Sequence, residues 1–255
     1  MINSLAMEWQ KLRPLHKTAR TVVLAIVLAV VVSALVSVAM ASDGAHMSLG
    51  DRQAFDSVAT SLQGVNAAVL AISAFGVLCV TREYGSGMIK ATFLAQPSRL
   101  RVLAAKLGTH AAVAGLAAAG ACLAAFAVGQ ALLDTAGLSV GWGDSDLPAA
   151  LGGGVVYLML ICVWGVALGA ALRSSSTAII WLASLLVVAP VVVQILPQHL
   201  VDLIGRWLPS QIGEQAISSH PSQHSFSSWT GLAVLGGYIA VTLVAGGWRM
   251  ARTDP

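Results

Sequence analysis

The sequence predicts an all-α membrane protein with six spanning helices, and three observations predict it. Hydrophobic residues make up 57% of the 255-residue chain and charged ones only 10%. An ordinary soluble domain carries about 25% charged residues, so a soluble fold of this length would lack the charge to cover its surface. Second, six segments free of Asp, Glu, Lys and Arg reach the roughly 20 residues that a helix needs to cross a hydrocarbon core about 30 Å thick. Third, Lys and Arg concentrate in alternate connecting stretches, the asymmetry expected of a chain that crosses a membrane repeatedly. Helices are the expected form because lipid cannot satisfy an open backbone edge, and no alternating barrel pattern is present.

The six segments run Thr21–Ser42, Ser57–Thr81, Leu107–Leu133, Leu147–Leu172, Ser174–Val201 and Gln215–Trp248. The last is polar at its start, "QAISSHPSQHSFSS", so its spanning part is expected to begin near Trp229. Ahead of the first, "MINSLAMEWQKLRP" places Leu5, Trp9 and Leu12 at helical spacing, with Glu8, Lys11 and Arg13 elsewhere. That pattern predicts a helix lying in the interface over residues 1–18. "VAMAS" offers an A-x-A pattern at Ala39 and Ala41. The apolar run before it is longer than the roughly 7–15 residues of a signal peptide, so the first span is read as retained.

Orientation follows from the cations. Lys11, Arg13, Lys17, Arg20, Arg82, Lys90, Arg99, Arg101, Lys106, Arg173, Arg249 and Arg252 fall on one side, and only Arg52 and Arg206 on the other. The acidic residues, among them Asp43, Asp51, Asp134, Asp202 and Glu214, mostly take that second side. Both termini are therefore expected in the cytoplasm of a multi-pass plasma-membrane protein. On the outer side, in the loop over 197–228, "PQHLVDLIGRWLP" sets Leu200, Ile204 and Trp207 on one face and Asp202 and Arg206 on another. A short re-entrant or amphipathic helix before the last span is expected there, with a plain loop as the alternative.

Between the second and third spans stands "TREYGSGMIKATFLAQPSRLRVLAAK". Gly85 and Gly87 break the preceding helix. Met88, Ile89, Phe93 and Leu94 can then form one apolar face of a short helix, which Pro97 stops. Positive-inside topology explains the charges of this connector, residues 81–101. It does not explain four apolar side chains on a helix outside the membrane, which mark a docking surface.

These residues resemble the segment after the second span in ABC-2 type transporter permeases, especially actinobacterial ones. Glu83, Gly87, Thr92, Pro97, Ser98, Arg99 and Lys106 match in order and spacing, while Met88 stands where the family more often has Thr. The resemblance implies a permease subunit of an ATP-driven exporter, working with separate ABC ATP-binding subunits and a second permease copy or paralogue. It also implies that the connector is the coupling element against the ATPase, with Glu83, Met88, Phe93 and Arg99 as candidate contacts. ATP and Mg would then sit on the partners. The chain has no G-x-x-x-x-G-K-[ST] and no Gly-Lys pair at all, so it offers no phosphate cradle.

No Asp, Glu, Lys or Arg lies deep in a predicted span, which counts against a self-powered, proton-coupled carrier. Gln63, Asn66 and Ser73 in the second span fall within about 80° of one another at about 100° per residue. They line either a cavity or a helix–helix contact. The family places its translocation path between the second and fifth spans, and the fifth adds Trp181, Ser184 and Gln194. Gly165 and Gly169 form a G-x-x-x-G that allows close helix packing within the chain or between copies. Pro190 permits a kink in the fifth span.

Other chemistry finds little footing. Cys79, Cys122 and Cys162 sit in apolar runs with no metal-ligand spacing. His110 lies near a span end, and the His220/His224 pair is interrupted by Pro221, so no metal site is expected. No nucleophile–base arrangement and no basic, aromatic-rich nucleic-acid patch is present. The substrate is not legible. The rival reading is a non-transporting membrane anchor or sensor subunit that recruits a cytoplasmic partner.

Overall fold

The computed structural model describes residues 15–44, 46–85, 99–218 and 226–252. Its regular structure is helical, with no strand among the described residues. Helix α1 (Leu15–Gly44) forms span one. A short α2 (Leu49–Ala54) follows, and span two is built from α3 (Ser57–Leu62) and α4 (Gly64–Gly85). Helices α5 (Arg99–Asp134) and α6 (Leu147–Leu172) are spans three and four. Span five consists of α7 (Ser175–Ala183), a π-helical turn (Ser184–Val188) and α8 (Ala189–Gln194). Then come α9 (Gln198–Ile204), a 3-10 turn (Gly205–Trp207), α10 (Pro209–Ile217) and span six, α11 (Ser228–Arg252). All six helices are long and apolar enough to cross a membrane, so this is a multi-pass membrane protein.

The boundaries differ from the sequence reading where local chemistry intervenes. Span five ends at Gln194 rather than Val201, because Pro197 begins a new turn and α9 starts after it. Span six starts at Ser228, next to the expected Trp229. Residues 1–14, which carry most of the expected interfacial helix, and residues 86–98, which carry the expected connector helix, lie outside the described residues.

Spans two and four form the centre. In their most apolar windows 67% and 61% of residues are buried, against 22% for spans one and five. Backbone contact made possible by glycine explains the pairing. A Cβ on Gly76 of α4 would strike the Cys162 carbonyl of α6, and one on Gly165 would meet the Ser73 carbonyl of α4. Gly169 sits against Val77 in the same seam. Lipid supplies no hydrophobic push between helices, so this interlocking of surfaces is what holds them together. The G-x-x-x-G pair is thus consumed inside the chain.

Span two breaks at Gln63. Its N–H turns to the Thr60 carbonyl, and the Gly64 N–H donates instead to Ser33 Oγ of α1 at 2.9 Å. A side chain at Gly64 would collide with the Ala29 carbonyl, so α1 presses directly on the break. In span five the π turn lies one turn before Pro190, whose ring cannot sit against the carbonyl four residues earlier. The wider turn accommodates it, with the Ala189 N–H donating to the Ser184 carbonyl.

The two ends of the bundle are distinct. At the connector pole, residues 85 and 99 flank the connector, and Arg173 and Ser174 make the tight turn between spans four and five. Arg173 adopts a left-handed φ of 55°, its N–H reaching the Gly169 carbonyl at 3.0 Å, and Ser174 Oγ caps α7 through Thr177 N. At the far pole α10 plugs the bundle: Ile212, Ala216 and Ile217 are buried, and Gly213 packs on the Tyr157 ring of α6.

Candidate coupling and translocation site

Each flank of the connector is fixed by a side-chain contact. Glu83, two residues from the end of α4, and Lys106, two turns into α5, form an ion pair with Oε1 to Nζ at 2.6 Å. Their side chains are only 11% and 3% exposed. Charges so placed are costly unless paired, and here each meets its opposite. The neighbouring polar groups fold onto the same turn of α5. Thr109 Oγ1 donates to the Ala105 carbonyl at 2.9 Å, and His110 Nδ1 stands 2.9 Å from the Lys106 carbonyl. The His110 ring lies 5.5 Å from Phe75, and Cys162 Sγ approaches the His110 carbonyl at 3.8 Å. Next to Glu83, the Tyr84 ring carries the Arg173 guanidinium at 5.3 Å, a cation–π contact.

Of the four residues expected to touch an ATPase, Glu83 is therefore inside the bundle, facing Lys106. Met88 and Phe93 lie outside the described residues, and Arg99 is the first residue of α5. The sequence placed Lys106 among the cations of one side and in the matched motif, and gave it no partner. Its pairing with Glu83 joins the first and last residues of the motif quoted above.

The six residues expected along a path divide into two groups. Ser73 is buried, its hydroxyl donating to the Leu70 carbonyl at 3.0 Å, and its own carbonyl faces Gly165. Gln63 and Asn66 are half-buried at the break in span two, with Asn66 Nδ2 donating to Gln63 Oε1 at 3.3 Å. Trp181, Ser184 and Gln194 face outward from span five, away from the core. Spans two and five are neighbours through α4 and α7. The structure thus brings the two helices together, but turns the polar residues of span five to the outside of the single chain.

The far pole holds polar elements that the sequence did not single out. Gln130 of α5 is buried; its Nε2 donates to Ser61 Oγ at 2.9 Å and to the Ser57 carbonyl at 3.1 Å. Its Oε1 accepts from the Val140 N–H at 2.7 Å, so one amide fastens span two and the 138–140 loop to span three. Asp56 caps α3 through Ala59 N and takes the Ser218 hydroxyl at 3.1 Å on its other oxygen. Burial raises the Glu214 carboxyl above its ordinary pKa, against a hydrogen bond from Gln211 that lowers it. An open cleft of about 480 Å³ separates spans one and three here, between Val38 and Leu132, with Arg52 on its wall. His220 and His224 lie outside the described residues.

A family model described as ABC-2 family transporter protein matches residues 53–248. The chain belongs to this family. A search of curated proteins finds no match. As an ABC-2 protein the chain is a membrane subunit of an ABC transporter, the part that works with ABC ATP-binding subunits. The matched stretch starts just before span two and runs to the end of span six. It includes the whole connector and both groups of path residues, and leaves span one outside.

Proposed function

We propose that this ABC-2 subunit is the permease half of an ATP-driven exporter, with both termini and the connector in the cytoplasm. A second copy or a paralogue completes the translocation path. Separate ATP-binding subunits, carrying ATP and Mg, press on the connector over residues 81–101. Met88, Phe93 and Arg99 supply the contact, and Glu83 contributes by holding the connector's start in place. Gln63, Asn66 and Ser73 of span two and Trp181, Ser184 and Gln194 of span five border the path. Closure of the ATPase pair would displace the connector and tilt spans one, two and five, a rigid-body form of alternating access.

One observation carries this reading. An ABC-2 domain without a phosphate cradle turns Trp181, Ser184 and Gln194 of a largely apolar span outward, where a second chain would enclose them. The test is to purify the chain with its native partners, reconstitute the complex in liposomes and measure ATP-dependent movement of amphipathic compounds. Transport that needs hydrolysable ATP is the expected result. A complex that binds an ATPase yet moves nothing under any condition would favour the anchor reading instead.

A further inference from the structure

We propose that the Glu83–Lys106 ion pair is a mechanical clamp, which closes the two roots of the connector into one unit that can push on the bundle. The inference rests on the functional reading above for what pushes, and on the chain alone for the clamp. The last turn of a helix has no intrahelical partners for its carbonyls and frays easily. A force applied at residue 86 would therefore be lost in unwinding α4, unless its last turn were held from the side. It is held twice. Glu83 is fixed to Lys106 of α5 across 23 residues of sequence, and Tyr84 is stacked under Arg173.

These two contacts lead in different directions. Lys106 belongs to span three, and its carbonyl side is braced by Thr109 and His110. Arg173 is the first residue of the two-residue turn into span five, and its left-handed backbone leaves that turn little freedom. Displacement at the end of α4 thus reaches span three through the ion pair and span five through the stack. Stability alone does not account for a buried pair in this place. Apolar side chains of similar volume can match such a pair in the stability of the whole fold, so what the charges add is a directional, local hold on the last turn of α4.

That distinction supplies the test. The double variant Glu83→Leu, Lys106→Met fills the same space without charge, and should fold where a single substitution leaves a lone charge. The purified full-length chain in lipid nanodiscs is followed by hydrogen exchange. The amides of residues 80–85 should exchange about tenfold faster in the apolar pair, with the centre of α4 unchanged. The swapped pair Glu83→Lys, Lys106→Glu should recover most of that protection. In the complex with its ATP-binding subunits, the apolar pair should keep assembly but lose about tenfold in substrate moved per ATP hydrolysed. Unchanged exchange at 80–85, or full coupling in an assembled complex of the apolar pair, overturns the clamp. A wild-type complex with no ATPase strikes the functional reading instead, and the exchange measurement still decides the clamp.

Discussion

At the scale of single residues, Gln130 shows how a neutral side chain can do what charges cannot do in lipid. Its amide makes three hydrogen bonds to two other segments, and the Ser57 hydroxyl adds a fourth link by donating to the Leu138 carbonyl. Gln130→Leu would strand the Val140 N–H and remove both donors to span two. A buried group left unsatisfied costs about 1–3 kcal/mol. The expected result is a lower Tm for the purified protein in detergent, with Gln130→Glu falling between the two. An unchanged Tm for Gln130→Leu would mean that water or lipid replaces the amide. The sequence marked Gln63, Asn66 and Ser73 because they repeat along one face, and passed over Gln130 because it stands alone in an apolar run. A lone polar residue carries no periodicity. Its partners, 69 and 73 residues away, are fixed only by how the helices pack. The pairing of Glu83 with Lys106 was hidden for the opposite reason: Glu83 was read as a contact for the ATPase and Lys106 as one cation of a basic stretch, so neither was read as the other's partner.

At the scale of elements, the six spans were legible because lipid imposes length and composition on them. Pro190 marked the irregularity in span five, but nothing marked the break in span two. The turn at Gln63 depends on Ser33 and Ala29 of another helix, and α10 fell within the outer loop over 197–228, with only its last three residues in the polar start of the sixth segment. In fact its Ile212 and Ala216, four residues apart, make a buried stripe behind Pro209. The glycine-rich stretches were read as permissive for packing without a partner, and the structure names one. Two substitutions separate glycines that are needed from those that are not. Gly76→Ala drives a methyl group into the Cys162 backbone, and overpacking of this kind costs about 1–3 kcal/mol. Gly152→Ala meets nothing within 4 Å and removes helix-interior glycine, a gain of about 0.5–1 kcal/mol. Thermal unfolding of both variants should therefore move in opposite directions. If both fall, the seam between spans two and four is no tighter than the rest of the bundle.

At the scale of the whole molecule, the question is what covers the exposed faces of the outer spans. Between Val23 and Val38 the large exposed side chains of span one are all aliphatic, including Val23, Val27, Val31 and Leu35. Hydrocarbon suits such a face, and nothing more is required of it. The exposed face of span five is different in kind. Ile180, Val187, Val188 and Val191 share it with Trp181, Ser184 and Gln194, and it runs past the π turn. A glutamine amide and a hydroxyl turned toward lipid would lose their hydrogen bonds to water, at about 1–3 kcal/mol for each group left unpaired. That cost disappears if the face borders a water-filled path or a second membrane subunit. Cysteines at the two kinds of face distinguish these surroundings. With the native Cys79, Cys122 and Cys162 replaced by alanine, Ser184→Cys and Gln194→Cys should react with a charged, membrane-impermeant maleimide or cross-link between two copies. Val27→Cys and Val31→Cys should do neither, since the reagent needs water and the cross-link needs a neighbour. Equal silence at all four positions would leave span five in lipid. The translocation path would then have to be sought at the half-buried Gln63 and Asn66, on the inner side of the break in span two.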